Sequence, residues 1–199
     1  MIRELNYDSR IHGIFVQLPL PKEIDTERVL SQISVLKDVD GFHSFHMGNL
    51  VKGNAGLKPC TPQGIITLLK KNNIEIEGKH CVVVGRSNIV GKPLAAMLLN
   101  NNGTVTVCHS HTENLKAICK QADILVCAIG SPKFFNSEYV KEGAVVIDVG
   151  INRIDNKICG DVDFEDVKDK VYAITPVPGG VGPMTVAMLI KNCLIAAEM

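Results

Sequence analysis

The sequence carries no excess charge of either sign. Lys plus Arg and Asp plus Glu each number 21 among 199 residues, so the formal net charge is zero. That balance removes the electrostatic case for a nucleic acid or an acidic membrane surface as partner. There is no CxxC pair either. The seven cysteines, at 60, 81, 108, 119, 127, 159 and 193, are odd in number, and several lie inside apolar runs, where Cys behaves as a small hydrophobe. Neither a disulfide framework nor a zinc site is expected, and a reducing compartment is. No apolar run reaches the length of a membrane span, and Met1-Ile2-Arg3-Glu4-Leu5-Asn6 lacks the apolar core of a signal peptide. Repeats and low-complexity segments are missing as well. The expectation is a soluble, cytoplasmic protein with no nucleic-acid and no membrane partner. What is present is 46% hydrophobic residues, enough for one good-sized core or for two small lobes sharing one.

Along the chain, Ile11 to Leu18 is apolar and partly β-branched, and reads as a strand stopped by Pro19 and Pro21. Val29, Leu30 and Ile33 give Thr26 to Ile33 a helical spacing. Asp38 to Gly56, rich in Gly, Asn and Asp, reads as loop. Thr61-Pro62 predicts a helix start, with Thr as N-cap and Pro in the first turn, running to Asn72-Asn73. Then the period changes. His80 to Val84, Val105 to Cys108, Ile124 to Ala128 and Val145 to Val149 are short, continuously apolar runs, as expected of strands buried on both faces of a parallel sheet. Helical segments alternate with them, roughly Pro93 to Asn100, Glu113 to Lys120 and Asn136 to Lys141. This alternation predicts right-handed βαβ units. Val171 to Thr175, a Pro/Gly-rich loop and an apolar helix from about Pro183 to Ala197 close the chain. The fold class is α/β, with a Rossmann-like, doubly wound, mostly parallel sheet.

The chemistry-bearing feature is the loop Gly85-Arg86-Ser87-Asn88-Ile89-Val90-Gly91. It follows the first buried strand directly and precedes a helix, the context of a phosphate-binding turn. Its spacing is G-x5-G rather than G-x-G-x-x-G, and glycine at a strand end is also ordinary turn chemistry. The second strand ends Val107-Cys108-His109-Ser110 without the carboxylate that commonly binds the ribose hydroxyl of NAD. Arg86 and Ser110 there suit a ribose phosphate, which favours NADP; the alternative is that both are solvated loop residues. Gly130 and Gly150 fall just beyond the third and fourth strands, on the rim where open α/β sheets bind ligands. The His43/His46 and His109/His111 pairs have no further ligands in a recognised pattern, so no metal site is expected. Cys60 precedes a helix start, a position that activates a thiolate, but no partner His is implied and packing explains it as well.

The motifs VQLPLP (16–21), KDVDGF (37–42), PCTPQG (59–64), VVVGRSNIVGKP (82–93), VIDVGIN (146–152) and ITPVPGGVGPMT (174–185) occur in this order. Together they resemble the bifunctional methylenetetrahydrofolate dehydrogenase/cyclohydrolase family, often called FolD, over essentially the whole chain. The resemblance implies transfer of a hydride from 5,10-methylenetetrahydrofolate to NADP, then hydrolysis of the methenyl product to 10-formyltetrahydrofolate. It implies Gly85, Arg86 and Ser87 in the cofactor loop, Ser110 beside the ribose phosphate and Ile151 against the cofactor. Gln17 matches the active-site glutamine and Asp40 the aspartate that holds the pterin. Pro178, Gly179 and Gly180 belong to a loop facing the folate. A homodimer paired through the nucleotide domains is also implied. Residues 1–60, completed by helix 183–199, would be part of a smaller folate-binding lobe, and 61–182 the NADP-binding domain. A carboxylate can accept both donors of a pterin edge, although loop aspartates commonly form turns. Gln17, in an apolar strand end, is expected to be buried and to orient a ligand or cap the neighbouring loop. A shikimate-type dehydrogenase shares the two-lobe plan but explains neither KDVDG nor PGGVGPMT.

One element of the family pattern is missing. The family carries a Tyr-x-x-x-Lys motif, whose lysine is its main acid/base group, in a segment ahead of the VQLPLP strand. Here Tyr7, Tyr139 and Tyr172 are followed four residues later by Ile11, Gly143 and Pro176. The expectation for this polypeptide is NADP binding with little cyclohydrolase activity. The alternative is a non-catalytic NADP-binding or partner-binding remnant.

Overall fold

The computed structural model describes residues 1–199. The front of the chain forms helices α1 (Ile2–Tyr7), α2 (Thr26–Leu30) and α3 (Ser44–Val51), followed by α4 (Cys60–Lys71). Strands and helices then alternate: β1 (His80–Val84), α5 (Gly91–Leu99), β2 (Thr104–Cys108), α6 (Leu115–Cys119), β3 (Ile124–Cys127) and β4 (Val145–Asp148). A hairpin of β5 (Asn152–Ile154) and β6 (Lys157–Cys159), the short helix α7 (Phe164–Val167), β7 (Ala173–Ile174) and the long helix α8 (Val181–Glu198) complete it.

The five-stranded sheet has the order β2-β1-β3-β4-β7, and every pairing in it is parallel. The order turns back on itself between β1 and β3, which creates a crevice at their carboxyl ends. β1, β3 and β4 are almost wholly apolar because both faces are covered, whereas the edge strand β2 is partly exposed and alternates Thr with Val. Cys81 and Val83 point into a core with Ile65, Leu69 and Leu94, contributed by α4 and α5. Val82 and Val84 point the other way, into a core with Cys119, Phe135 and Val167. Burying each such side chain contributes about 1.5–3 kcal/mol.

Five expectations are corrected. Ile11 to Leu18 is not a strand: it makes a single parallel bridge, Ile14 to Asp38, and Phe15 is 51% exposed. Apolar alternation does not make a strand without a neighbour to complete the ladder, and here the neighbour is a 3-10 turn at Val35–Lys37. Asp38 to Gly56 is not all loop, because α3 forms within it. Its His46 and Leu50 are buried on one face, and that packing outweighs the poor helix propensity of Gly48 and Asn49. Asn136 to Lys141 gives only a 3-10 turn at Ser137–Tyr139, with Asn136 capping Glu138 N–H. The start of α4 is also shifted: Pro59 is its N-cap and makes no side-chain hydrogen bond, while Thr61 Oγ1 meets Thr185 Oγ1 at 2.9 Å. Finally, α8 is by length and composition long and apolar enough to cross a membrane. In the fold it packs its Val181, Met188, Asn192 and Ala196 side inward, and a Cβ at Gly64 of α4 would lie 3.0 Å from Met184.

Candidate active site

The loop between β1 and α5 is shaped by its two glycines. Gly85 has φ +126°, and a Cβ there would overlap the carbonyl oxygen of Ala128 on the next strand; at Gly91 it would overlap the Gly85 carbonyl. The G-x5-G spacing thus closes the loop onto itself. Ser87 Oγ accepts the Val90 and Gly91 N–H groups at 3.1 and 3.3 Å, so the end of α5 is capped from within the chain. The amides of Arg86, Ser87, Asn88 and Ile89 make no hydrogen bond inside the chain. The unspent donors therefore lie in the loop rather than at the helix end, as exposed N–H groups available to a phosphate.

β1 and β2 leave the sheet side by side. Val84 pairs with Cys108, and Gly85 N–H donates to the Cys108 carbonyl at 2.9 Å. Arg86 and Ser110 each lie two residues beyond that pair, and both are exposed. The first carboxylate after β2 is Glu113. A dinucleotide phosphate with an additional ribose phosphate fits these residues: free amides on one side, a cation and a hydroxyl on the other, and no nearby anion from β2.

At the carboxyl ends of β3 and β4 the structure reveals two aspartates that the sequence reading did not single out. Asp148 is 3% exposed and Asp161 fully buried. Asp148 accepts the N–H groups of Gly150, Asp161 and Val162 at 3.0, 2.9 and 2.9 Å. Burial pushes its carboxyl up to about 6 against the pull of those three donors. Asp161 accepts the N–H groups of Ile129, Gly130 and Ser131 at 2.7, 3.0 and 2.9 Å and the Asn152 side chain at 2.8 Å. Gly130 therefore has no free amide, and it offers a ligand only its carbonyl and its lack of a side chain. Ile151, just before Asn152, is 72% exposed. It shares a cavity of about 190 Å³ with Asp148, Pro178, Gly179, Gly180 and Pro183. Larger clefts of about 440 and 640 Å³ lie at the amino ends of the strands, around Lys79, Asp123 and Tyr172 and around Lys70 and Glu77, and two others, of about 460 and 350 Å³, adjoin this cavity through Gly179 and Gly180 and through Asp148 and Pro176.

The front motifs meet on a third surface. Asp38 is structural: it is 2% exposed and accepts His43 N–H at 2.7 Å. Lys37 donates to the Leu5 and Asp8 carbonyls at 3.0 and 2.8 Å and so ties down α1. Asp40 is half-buried beside the Val16 amide. Its carboxyl is pushed up to about 6, first by burial and then by the Asp38 charge. Gly41, φ +70°, permits the turn, since a Cβ there would stand 2.5 Å from Lys58 backbone. Gln17 follows Val16 in the chain. Gln17 is exposed, not buried as expected, because no strand covers it; its Nε2 donates to the Leu18 carbonyl at 3.0 Å. Asn192, 1% exposed, fixes this surface to α8 by donating to the Val39 and Lys58 carbonyls, each at 2.8 Å. The Pro178–Gly180 loop caps the same helix about three turns earlier. Cys60 is packed against Asn192, and burial pushes its thiol up to about 12, the opposite of what an activated thiolate needs. No group of three or more His, Cys, Asp or Glu side chains is arranged to hold a metal.

A parallel sheet of this order, with a phosphate-shaped loop at its switch point, defines a dinucleotide-binding α/β protein. More narrowly, the chain belongs to the tetrahydrofolate dehydrogenase/cyclohydrolase family. Residues 59–199 match the NAD(P)-binding domain of that family and residues 1–40 its catalytic domain. It is 61% identical to the bifunctional protein FolD of Agathobacter rectalis over 199 residues, which is 100% of this chain and 71% of that protein. The crystal structure of FolD from Campylobacter jejuni superposes with a TM-score of 0.97 at 52% identity, covering 99% of this chain and 71% of that one. The Trypanosoma brucei enzyme, solved with NADP and an inhibitor, superposes with a TM-score of 0.93 at 40% identity over 99% and 70% of the two chains.

Proposed function

We propose that the chain serves the NADP-dependent oxidation of 5,10-methylenetetrahydrofolate to the 5,10-methenyl form and its hydrolysis to 10-formyltetrahydrofolate. The observation that carries the reading is the cavity shared by Ile151 and the Pro178–Gly180 loop. It joins the rim of the dinucleotide crevice to the loop that the family resemblance gives to the folate. The free amides of 86–89 hold the phosphates, and Arg86 with Ser110 selects the ribose phosphate. Bound NADP supplies the hydride acceptor. Asp40, ionised at neutral pH, accepts the paired N–H donors of a pterin edge. Gln17 Nε2 is engaged with Leu18, which leaves its Oε1 as an unused acceptor. A homodimer is part of the proposal, with the β2 edge, where Val107 is 39% exposed, as the place to test by substitution and sedimentation.

Reduction of NADP by the purified chain, dependent on the folate, tests the reading. Arg86→Ala is expected to weaken NADP on the order of 10-fold or more while leaving NAD nearly unchanged. Equal losses for both nucleotides would remove Arg86 from the phosphate.

A further inference from the structure

The two buried aspartates form a reciprocal clasp, and its sequence signature is a pair of triplets of the same three residues: Asp148-Val149-Gly150 before the hairpin, Gly160-Asp161-Val162 after it. Each carboxylate fills the space over the other segment's glycine. A Cβ at Gly160 would overlap the Asp148 carboxylate, and one at Gly150 would overlap that of Asp161 and stand 2.6 Å from its backbone nitrogen. Neither glycine has a positive φ, so both are needed for close approach rather than for a turn. Neither aspartate has a basic partner. Their charge is met by amide dipoles alone, so each bond also fixes a backbone position.

The backbone that Asp161 fixes is informative. β3 and β4 pair with Cys127 opposite Asp148, and their exit loops are Ile129–Ser131 and Ile151–Asn152. Asp161 bonds three successive amides of the first and the Asn152 side chain of the second. One buried carboxylate thereby sets the gap between the two loops. In open α/β sheets the dinucleotide lies across the carboxyl ends, with its adenosine ribose at the end of the second strand. Arg86 and Ser110 stand there, so the reacting half of the cofactor falls on the β3–β4 side, against the Ile151 cavity.

We propose that Asp161 is a positioning residue for the nicotinamide half of NADP, acting through the Gly130 and Ile151 loops and not by contact. The inference rests on the reading that this crevice takes NADP, and the test separates the two. Calorimetric affinities are measured for NADP and for 2′,5′-ADP, which carries the adenosine half and its ribose phosphate but no nicotinamide. Asp161→Asn is expected to weaken NADP about 10-fold and Asn152→Ala about 3-fold, with 2′,5′-ADP changed less than about 2-fold in both. Arg86→Ala is expected to do the opposite, losing 2′,5′-ADP most. If Asp161→Asn fails to fold, Asn152→Ala decides alone, since Asn152 is only half-buried and its side chain makes one bond. Equal loss of both ligands would reduce the clasp to a structural role and overturn the proposal. So would unchanged NADP affinity in a folded variant. A parent chain that binds neither ligand would overturn the functional reading itself, and the proposal with it.

Discussion

Asn192 gives the sharpest test of how the folate-facing surface is held. Its Nδ2 donates to two carbonyls from distant segments, Val39 and Lys58, both at 2.8 Å, in a region where Asn192 and Val39 are each 1% exposed. Truncation to Ala strands the Lys58 oxygen and leaves the Val39 oxygen with only the weak Cys60 thiol donor at 3.4 Å. Each stranded acceptor costs about 1–3 kcal/mol, and the vacated volume adds about 1 kcal/mol. One term opposes these. Asn192 Oδ1 has no partner, so the native fold already bears one such penalty, and the truncation relieves it. The net expectation for Asn192→Ala is a loss of about 2–4 kcal/mol. Asn192→Asp keeps the shape but turns the donor into an acceptor facing two carbonyls. It should cost more than Ala near pH 7 and recover as the pH falls, when its own carboxyl O–H can donate to one of them. Urea unfolding followed by circular dichroism reads both effects, with a constant m-value as the control for two-state behaviour. A loss below about 0.5 kcal/mol for Asn192→Ala would mean that water reaches the two carbonyls, and the argument would fail. So would an Asp variant whose stability does not improve in acid.

Three further outcomes follow from the site geometry. Gly91→Ala pushes a methyl into the Gly85 carbonyl, so it is expected to destabilise the chain by about 1–3 kcal/mol and to lower NADP affinity by more than about 10-fold; calorimetry showing parental affinity would contradict the loop geometry. Folate affinity should decline as the pH is lowered through about 6, because Asp40 must be ionised to accept two N–H donors, and Asp40→Asn should flatten that profile. The same group acts oppositely on the fold. Its native pKa is raised from 3.8, so its stabilising contribution is full below about 4 and is lost as the pH rises through about 6. Cys60, buried and with its thiol pushed up to about 12, should resist iodoacetamide at pH 8 until the chain unfolds, while the half-exposed Cys159 and Cys193 react first. Early labelling of Cys60, mapped by mass spectrometry, would refute its assignment as a packing residue.

The sequence by itself determined the central sheet and the cofactor loop. Four short apolar runs marked β1 to β4; β1, β3 and β4 are covered on both faces and need no polar alternation, while the edge strand β2 carries Thr104 and Thr106. The glycines at 85 and 91 marked the loop between β1 and α5, because each removes a side chain from a backbone contact. A third such signal is Asp155-Asn156. Both residues have positive φ, at 47° and 62°, and turn the β5–β6 hairpin that separates the two halves of the clasp. Only the tertiary structure decided the rest. Whether Ile11–Leu18 becomes a strand depends on a neighbour, not on its own pattern. Whether Gln17 is buried depends on what covers it. Asp148, Asp161 and Asn192 look in sequence like ordinary polar residues. Their significance comes from burial, which makes every unmet hydrogen bond costly and so lets one side chain fix two or three distant segments at once. Composition and periodicity record where a chain is apolar. The partners a buried polar group finds are a property of the folded arrangement alone.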